Sequence, residues 1–208
     1  VTGDRLRAFN QIESEVLFPP LLHPEAFRCE EYGDYIFYPS RITHGKRQNL
    51  IVEALRYTRT PVRLVIAGAP ESRAAVDELT RLVEAGGLAD RVRILPQFIS
   101  EADKVDLFAR ALAVAYVPVD EDSYGYVTLE AYEARKPVIS CHDSGGVGIV
   151  VKHDHTGYVV DPEPEQIALA IDELYLDRGR ARALGEAGFA HIQQLGISWE
   201  HVIRKLTA

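Results

Sequence analysis

The sequence of 208 residues contains no methionine, not even at its start, and only two cysteines and one tryptophan. The missing initiator reads as a chain that begins inside a longer protein. Cys29 and Cys141 stand far apart, outside any Cys-x-x-Cys or Cys/His spacing that would hold zinc. They read as two buried or half-buried free thiols in a reducing, cytosolic compartment. Excess positive charge is also lacking: 23 Lys and Arg against 31 Asp and Glu leave a formal net charge of −8. That balance excludes a reader of nucleic-acid backbones, so any anionic ligand must be gripped by a few local cations. No segment approaches the roughly 18 consecutive apolar residues of a membrane-spanning helix. Residues 1–10 lack the basic-then-apolar order of a signal peptide. Localisation is therefore expected to be cytoplasmic, with membrane association only through a longer parent protein at the inner face of a membrane.

Hydrophobic residues at 47% and charged residues at 26% give the balance of an ordinary folded domain. From Tyr35 onward, short β-branched and aromatic runs alternate with longer charged segments. This pattern predicts strands over 35–38, 62–67, 92–95, 113–118, 138–141 and 157–160. Apolar residues nearly fill the second and fourth, as in strands buried on both faces. Helical spacing appears over 47–56, 72–84, 101–112 and 126–135, and the tail reads as helices over 165–176, 178–188 and on to 206. The expected fold class is α/β, a Rossmann-like doubly wound parallel sheet of about six strands with C-terminal helices. Residues 1–34 read as a leading segment or interdomain linker, with a lone strand over 13–18 running into Pro19-Pro20. Residues 35–208 read as the domain itself.

Several nucleotide signatures are missing, and their absence is informative. The turn after the first strand reads Ser40-Arg41-Ile42-Thr43-His44-Gly45-Lys46 in place of Gly-x-Gly-x-x-Gly, which argues against NAD or FAD. Gly45-Lys46 is followed by Arg47 rather than Ser or Thr, which excludes a P-loop. What the turn does offer is two cations, Arg41 and Lys46, at the carboxyl edge where open α/β sheets bind ligands. A diphosphate there would gain charge-assisted bonds; ordinary surface charge is the alternative, and Arg47 is a nearby competitor. After the fourth strand comes Asp120-Glu121-Asp122-Ser123-Tyr124-Gly125-Tyr126-Val127-Thr128-Leu129-Glu130. Three acids in a row read either as a solvated loop or as a catalytic carboxylate. Gly125 permits close backbone approach, the helix behind it aims free N–H groups at an anion, and Glu130 can accept two hydrogens from a vicinal diol. Gly145 and Gly146 after the fifth strand read as a further close approach or a plain turn. His153 and His155 lack the additional ligand a metal site requires.

Taken in order, these pieces resemble the carboxyl-terminal half of the retaining, GT-B-fold glycosyltransferases called group 1 or family 4. The resemblance covers almost the whole chain. Arg41 and Lys46 with Leu50 and Ala54 resemble the family's Arg, Lys, Leu-Ile-x-Ala stretch, and Leu64 to Gly68 resembles its second strand and glycine turn. Asp122 to Glu130 falls on its Glu, seven residues, Glu motif. Pro137-Val138-Ile139, Ser144-Gly145-Gly146 and Thr156-Gly157-Tyr158 follow in register.

The resemblance implies a donor site for a UDP-, GDP- or ADP-linked hexose, with no other cofactor and no metal. Arg41 and Lys46 would hold the diphosphate, and the backbone of Tyr124, Gly125, Tyr126 and Val127 the phosphates. Glu130 would hold the ribose, and Asp122 would lie by the transferred sugar. Gly68, Gly145 and Gly146 complete the expected donor site. The chain departs from the family in Asp122 for the usual Glu, Gly148 for a Glu, and Lys136 for a Gly, the last expected to affect only a turn. The family's amino-terminal acceptor domain is missing, so the fragment alone is expected to bind nucleotide weakly and transfer nothing. A noncatalytic nucleotide-binding module and a GT-B nucleotide-sugar epimerase are the alternatives.

Overall fold

A computed structural model describes residues 2–121 and 123–207; Val1, Asp122 and Ala208 lie outside the described residues. The β-branched runs condense into six parallel strands: β1 (Tyr35–Pro39), β2 (Arg63–Ala67), β3 (Val92–Leu95), β4 (Ala113–Ala115), β5 (Val138–Cys141) and β6 (Gly157–Val160). The main helices are α1 (Gln48–Leu55), α2 (Arg73–Ala85), α3 (Glu101–Arg110), α4 (Tyr126–Glu133), α5 (Pro164–Leu176), α6 (Arg178–Gln194) and α7 (Trp199–Thr207). Strand order is β3-β2-β1-β4-β5-β6, a doubly wound sheet whose direction of winding reverses between β1 and β4. The central strands are sealed on both faces: Ile36, Phe37, Tyr38, Ala113, Val114 and Ala115 are all at most 3% exposed. Serines start the helices where free N–H groups need acceptors. Ser72 accepts from Ala75 N–H at α2 and Ser100 from Asp103 N–H at α3.

The fourth strand is shorter than its sequence suggests. Tyr116 still bonds across to Ile139, but the Val117 N–H turns to the Tyr38 hydroxyl at 3.2 Å, and Pro118 has no N–H to give. The expected strand over 13–18 does not form. The segment is irregular, because among the described residues no strand pairs with it to satisfy its backbone. It is preceded by a helical turn, Thr2–Arg5, and a wider one, Leu6–Asn10. Farther on, Phe27 stacks edge-on against Phe108 at 5.5 Å between ring centres, tying the segment before β1 to the core.

Two further expectations change. Cys141 is buried, but Cys29 is exposed, so only one thiol belongs to the interior. Lys136, expected to alter only a turn, is fully buried. Its ammonium donates to the Glu31 carbonyl, lies 3.2 Å from Cys29 Sγ and sits 4.2 Å over the Tyr32 ring. Burial pulls its pKa below the ordinary value. Lys136 thus clamps the segment before β1 onto the sheet.

Candidate functional site

The loops after β1, β4 and β5 meet at the carboxyl edge of the sheet, beside the point where the winding reverses. Arg47 fastens them. It stands at φ 53°, a left-handed conformation that ends one turn and starts α1. Its Nε donates to the Val117 carbonyl at 2.7 Å and its Nη2 to the Pro118 carbonyl at 3.0 Å. The same guanidinium grips both oxygens of Asp143 at 2.7 Å each. Arg47 is therefore committed to holding the loops together and is not one of the available cations.

Lys46 and Arg41 stand differently. The Lys46 ammonium contacts the Glu121 carboxylate and donates to the Tyr116 hydroxyl at 2.9 Å, while its backbone carbonyl accepts from the Tyr38 hydroxyl. Burial, with Glu121 close by, pushes the Tyr116 phenol far above its ordinary value, so it is neutral and able to donate. The exposed Arg41 side chain makes no hydrogen bond or ion pair among the described residues. Its backbone is fixed all the same, because buried Gln48 donates to the Arg41 carbonyl at 2.8 Å and to Ser40 Oγ at 2.9 Å. Gly68 makes this packing possible: a Cβ there would lie 2.0 Å from the Ser40 carbonyl oxygen.

On the β4 side, Asp122 lies outside the described residues. Gly125 caps α4 at φ 71°, and a Cβ would press to 2.4 Å from the Tyr116 ring. Tyr124 is buried with its hydroxyl on the Pro19 carbonyl, whereas Tyr126 is 52% exposed at the helix start. The first N–H groups of α4, those of Tyr126 and Val127, have no partner within the helix, as at any helix start. Gly145 and Gly146 brace the acidic loop. The Gly146 N–H donates to the Glu121 carbonyl at 2.7 Å, and Gly145, at φ 63°, would carry a Cβ 2.5 Å from that same oxygen.

Glu130 lies one turn into α4, almost buried, and accepts at Oε1 from Lys104 of α3 at 2.7 Å. Burial raises its pKa, while the Lys104 ammonium pulls it back. A cleft of about 920 Å³ opens beside it, lined by Glu130, Lys104, Tyr126, Leu21, Phe27 and Trp199 among others. Tyr126 at the start of α4 lines this cleft with Glu130, whereas Arg41 and Lys46 do not. Among the described residues no group of three or more His, Cys, Asp or Glu is placed to hold a metal ion, and no helix is long and apolar enough to cross a membrane. His153 instead accepts from the Val159 N–H at 3.2 Å. Sequence reasoning missed four residues that shape the site: Gln48, Lys104 and Tyr116 carried no signal, and Glu121 only that of the acidic run.

The sequence model of the family described as "Glycosyl transferases group 1" matches residues 24–191. A D-inositol 3-phosphate glycosyltransferase of Rhodococcus jostii (strain RHA1) is 33% identical over 149 residues, which are 70% of this chain and 32% of that protein. Among solved structures, Anabaena Alr3699/HepE in complex with UDP and glucose matches with TM-score 0.75 at 23% identity, covering 85% of this chain and 48% of that one. S. aureus TarM, in a complex that includes UDP, matches with TM-score 0.82 at 18% identity, covering 100% of this chain and 42% of that one. The chain thus spans less than half the length of these relatives, and its fold is one half of theirs.

Proposed function

The chain belongs to the group 1 glycosyltransferase family, and from that premise we propose that it is the donor-binding half of a retaining enzyme that transfers a hexose from a nucleoside diphosphate. The observation that carries this reading is the shared edge. A guanidinium without a bonded partner among the described residues (Arg41), an ammonium (Lys46), a glycine-led helix start and a sheltered carboxylate (Glu130) all stand around the reversal of the sheet. Arg41 and Lys46 suit a diphosphate, and the N–H groups of Tyr126 and Val127 suit its phosphate oxygens. Glu130 suits the ribose hydroxyls, and Asp122 belongs near the transferred sugar. As charge builds on the departing diphosphate, the two cations and the helix start offset it without a metal. Relatives in complex with UDP support a nucleotide donor.

Residues 1–34 as a linker, 35–208 as the donor domain, and the acceptor site on a separate domain are parts of the same proposal. So is a cytoplasmic site of action. Calorimetric titration of UDP, GDP and ADP into the 208-residue chain tests it. At least one should bind, Glu130→Ala should weaken it about tenfold or more, and no sugar should be transferred. Failure of all three to bind, or an indifferent Glu130→Ala, would overturn it.

A noncatalytic module is the second reading, and one observation favours it: Glu121 already occupies the Lys46 ammonium. A diphosphate must displace that contact. Glu121→Gln should therefore tighten nucleotide binding if Lys46 serves the diphosphate, and leave it unchanged if Lys46 is only structural.

A further inference from the structure

Helix α3 brings a lysine against the one carboxylate expected to meet the nucleoside. Lys104 Nζ lies 2.7 Å from Glu130 Oε1 and 2.9 Å from Oε2 of Glu101. The two contacts are unequal. Side-chain exposure is 11% for Glu130 and 81% for Glu101, so the bond to Glu130 is sheltered and the one to Glu101 is in water. Lys104 and Glu130 line the same 920 Å³ cleft with Tyr126 and Phe27, and the ammonium stands 5.9 Å above the Phe27 ring.

A carboxyl group receives a vicinal diol only when ionised; protonated, one of its oxygens becomes a donor and opposes a hydroxyl hydrogen. A carboxyl as buried as Glu130 drifts toward the neutral form unless a cation holds it. The charged groups around it are few. Helix α3 presents Lys104, Glu101 and Asp106, the last paired with Arg28; the segment before β1 brings His23 and Arg28 to the cleft, and α4 itself adds Tyr126. Among the described residues, Lys104 alone is within bonding distance of Glu130. It takes Oε1 and leaves Oε2 without a partner among the described residues.

We propose that Lys104 is a positioning residue for the donor, holding Glu130 ionised and oriented so that its free oxygen meets the ribose hydroxyls. The inference rests on Glu130 being the ribose residue. It follows that recognition of ribose against deoxyribose passes through Lys104. Removing the ammonium makes that recognition fade in acid, because burial then governs Glu130 unopposed. Burial also draws the Lys104 pKa down, but its bonds to Glu130 and Glu101 outweigh this, so the ammonium persists across neutral pH.

The test uses the 208-residue chain, UDP, GDP and ADP with their 2′-deoxy counterparts, and calorimetry at pH 6 and pH 8.5. Lys104→Met should weaken the ribonucleotide about tenfold at pH 6 and less than about threefold at pH 8.5, with little effect on the deoxynucleotide. Lys104→Arg should restore most of the loss. Without any ligand, carbon-13 NMR of the Glu130 carboxyl should show it titrating at higher pH in Lys104→Met than in the unchanged chain. Equal weakening of ribo- and deoxynucleotides, no weakening, or an unmoved Glu130 titration would overturn the proposal. If the unchanged chain binds no nucleotide, or Glu130→Ala keeps full ribose preference, the donor-site reading itself fails and takes this inference with it. If Glu130→Ala behaves as expected and Lys104→Met does not, only the role of Lys104 is lost.

Discussion

Replacing Arg47 with Met separates a cation that builds the site from cations that serve a ligand. The substitution keeps an unbranched apolar stem and removes four hydrogen bonds: two to the Val117 and Pro118 carbonyls and two to Asp143. Val117 and Pro118 are buried, so their carbonyls cannot all be rehydrated, at a cost of about 1–3 kcal/mol for each group left without a partner. Asp143 is 43% exposed at its side chain and can return to water, which limits its share. Allowing for relaxation, the total should be about 3 kcal/mol. At about 2.1 cal/mol/K of unfolding entropy per residue, that lowers Tm by roughly 7 °C for a chain of 208 residues. Urea denaturation and thermal melting followed by circular dichroism measure both quantities. Arg47→Lys should recover less than half, since an ammonium cannot reach both carbonyls and both carboxylate oxygens. Arg41→Met should leave the melting curve within about 0.5 kcal/mol of the unchanged chain, as expected for an exposed side chain without bonded partners among the described residues. A loss under 1 kcal/mol for Arg47→Met would show that the three loops are not joined through this guanidinium.

Three other outcomes are expected. Gly125→Ala meets both a backbone conformation suited to glycine and the Tyr116 ring at 2.4 Å, so urea denaturation should show a loss of about 3 kcal/mol or more; a loss under 1 kcal/mol would mean the loop readily adapts. Bonding to Arg47 holds the Asp143 carboxyl below its ordinary value of 3.8, so its contribution is present above that value and lost as pH falls through the lower folded one. Asp143→Asn should accordingly be less stable than the unchanged chain at pH 7, with the gap closing as pH falls below 3.8; a gap that persists at pH 2 would contradict this. Asp172 of α5 accepts from Arg59 N–H at 2.8 Å, Thr60 N–H at 3.1 Å and Thr60 Oγ1 at 2.6 Å. Asp172→Ala leaves buried donors at Thr60, and chemical denaturation should report a loss of about 2–4 kcal/mol.

The sheet was legible because its strands are buried on both faces and must be spelled in nearly continuous apolar residues, as Leu64 to Ala67 and Ala113 to Val117 are. Residues 13–18 end in an apolar run, Val16-Leu17-Phe18, but a strand also needs a neighbour to pair with, and a single sequence does not name one. Arg41 and Lys46 could be read as cations at a strand end, yet nothing in their spacing showed that Glu121 would meet Lys46 or that Arg47 would turn inward. Those outcomes depend on loops more than 60 residues apart coming together. Lys104 stayed hidden for the same reason. On its own helix it is one more charged residue near Glu101, and only packing sets it against Glu130, 26 positions away. Lys136 shows the converse, a charged residue that the fold draws fully inside.

Gln48 and the Tyr38 hydroxyl fix the backbone on both sides of the Arg41–Lys46 turn through bonds made within the protein itself. Ordering a flexible loop around a ligand subtracts from affinity, and here the main chain is ordered in advance. What is left to immobilise is mainly two long side chains, at about 0.5–1.5 kcal/mol each. An anion arriving at this edge therefore meets a rigid rim with two movable arms, and variation in how tightly it is held should reside in those arms.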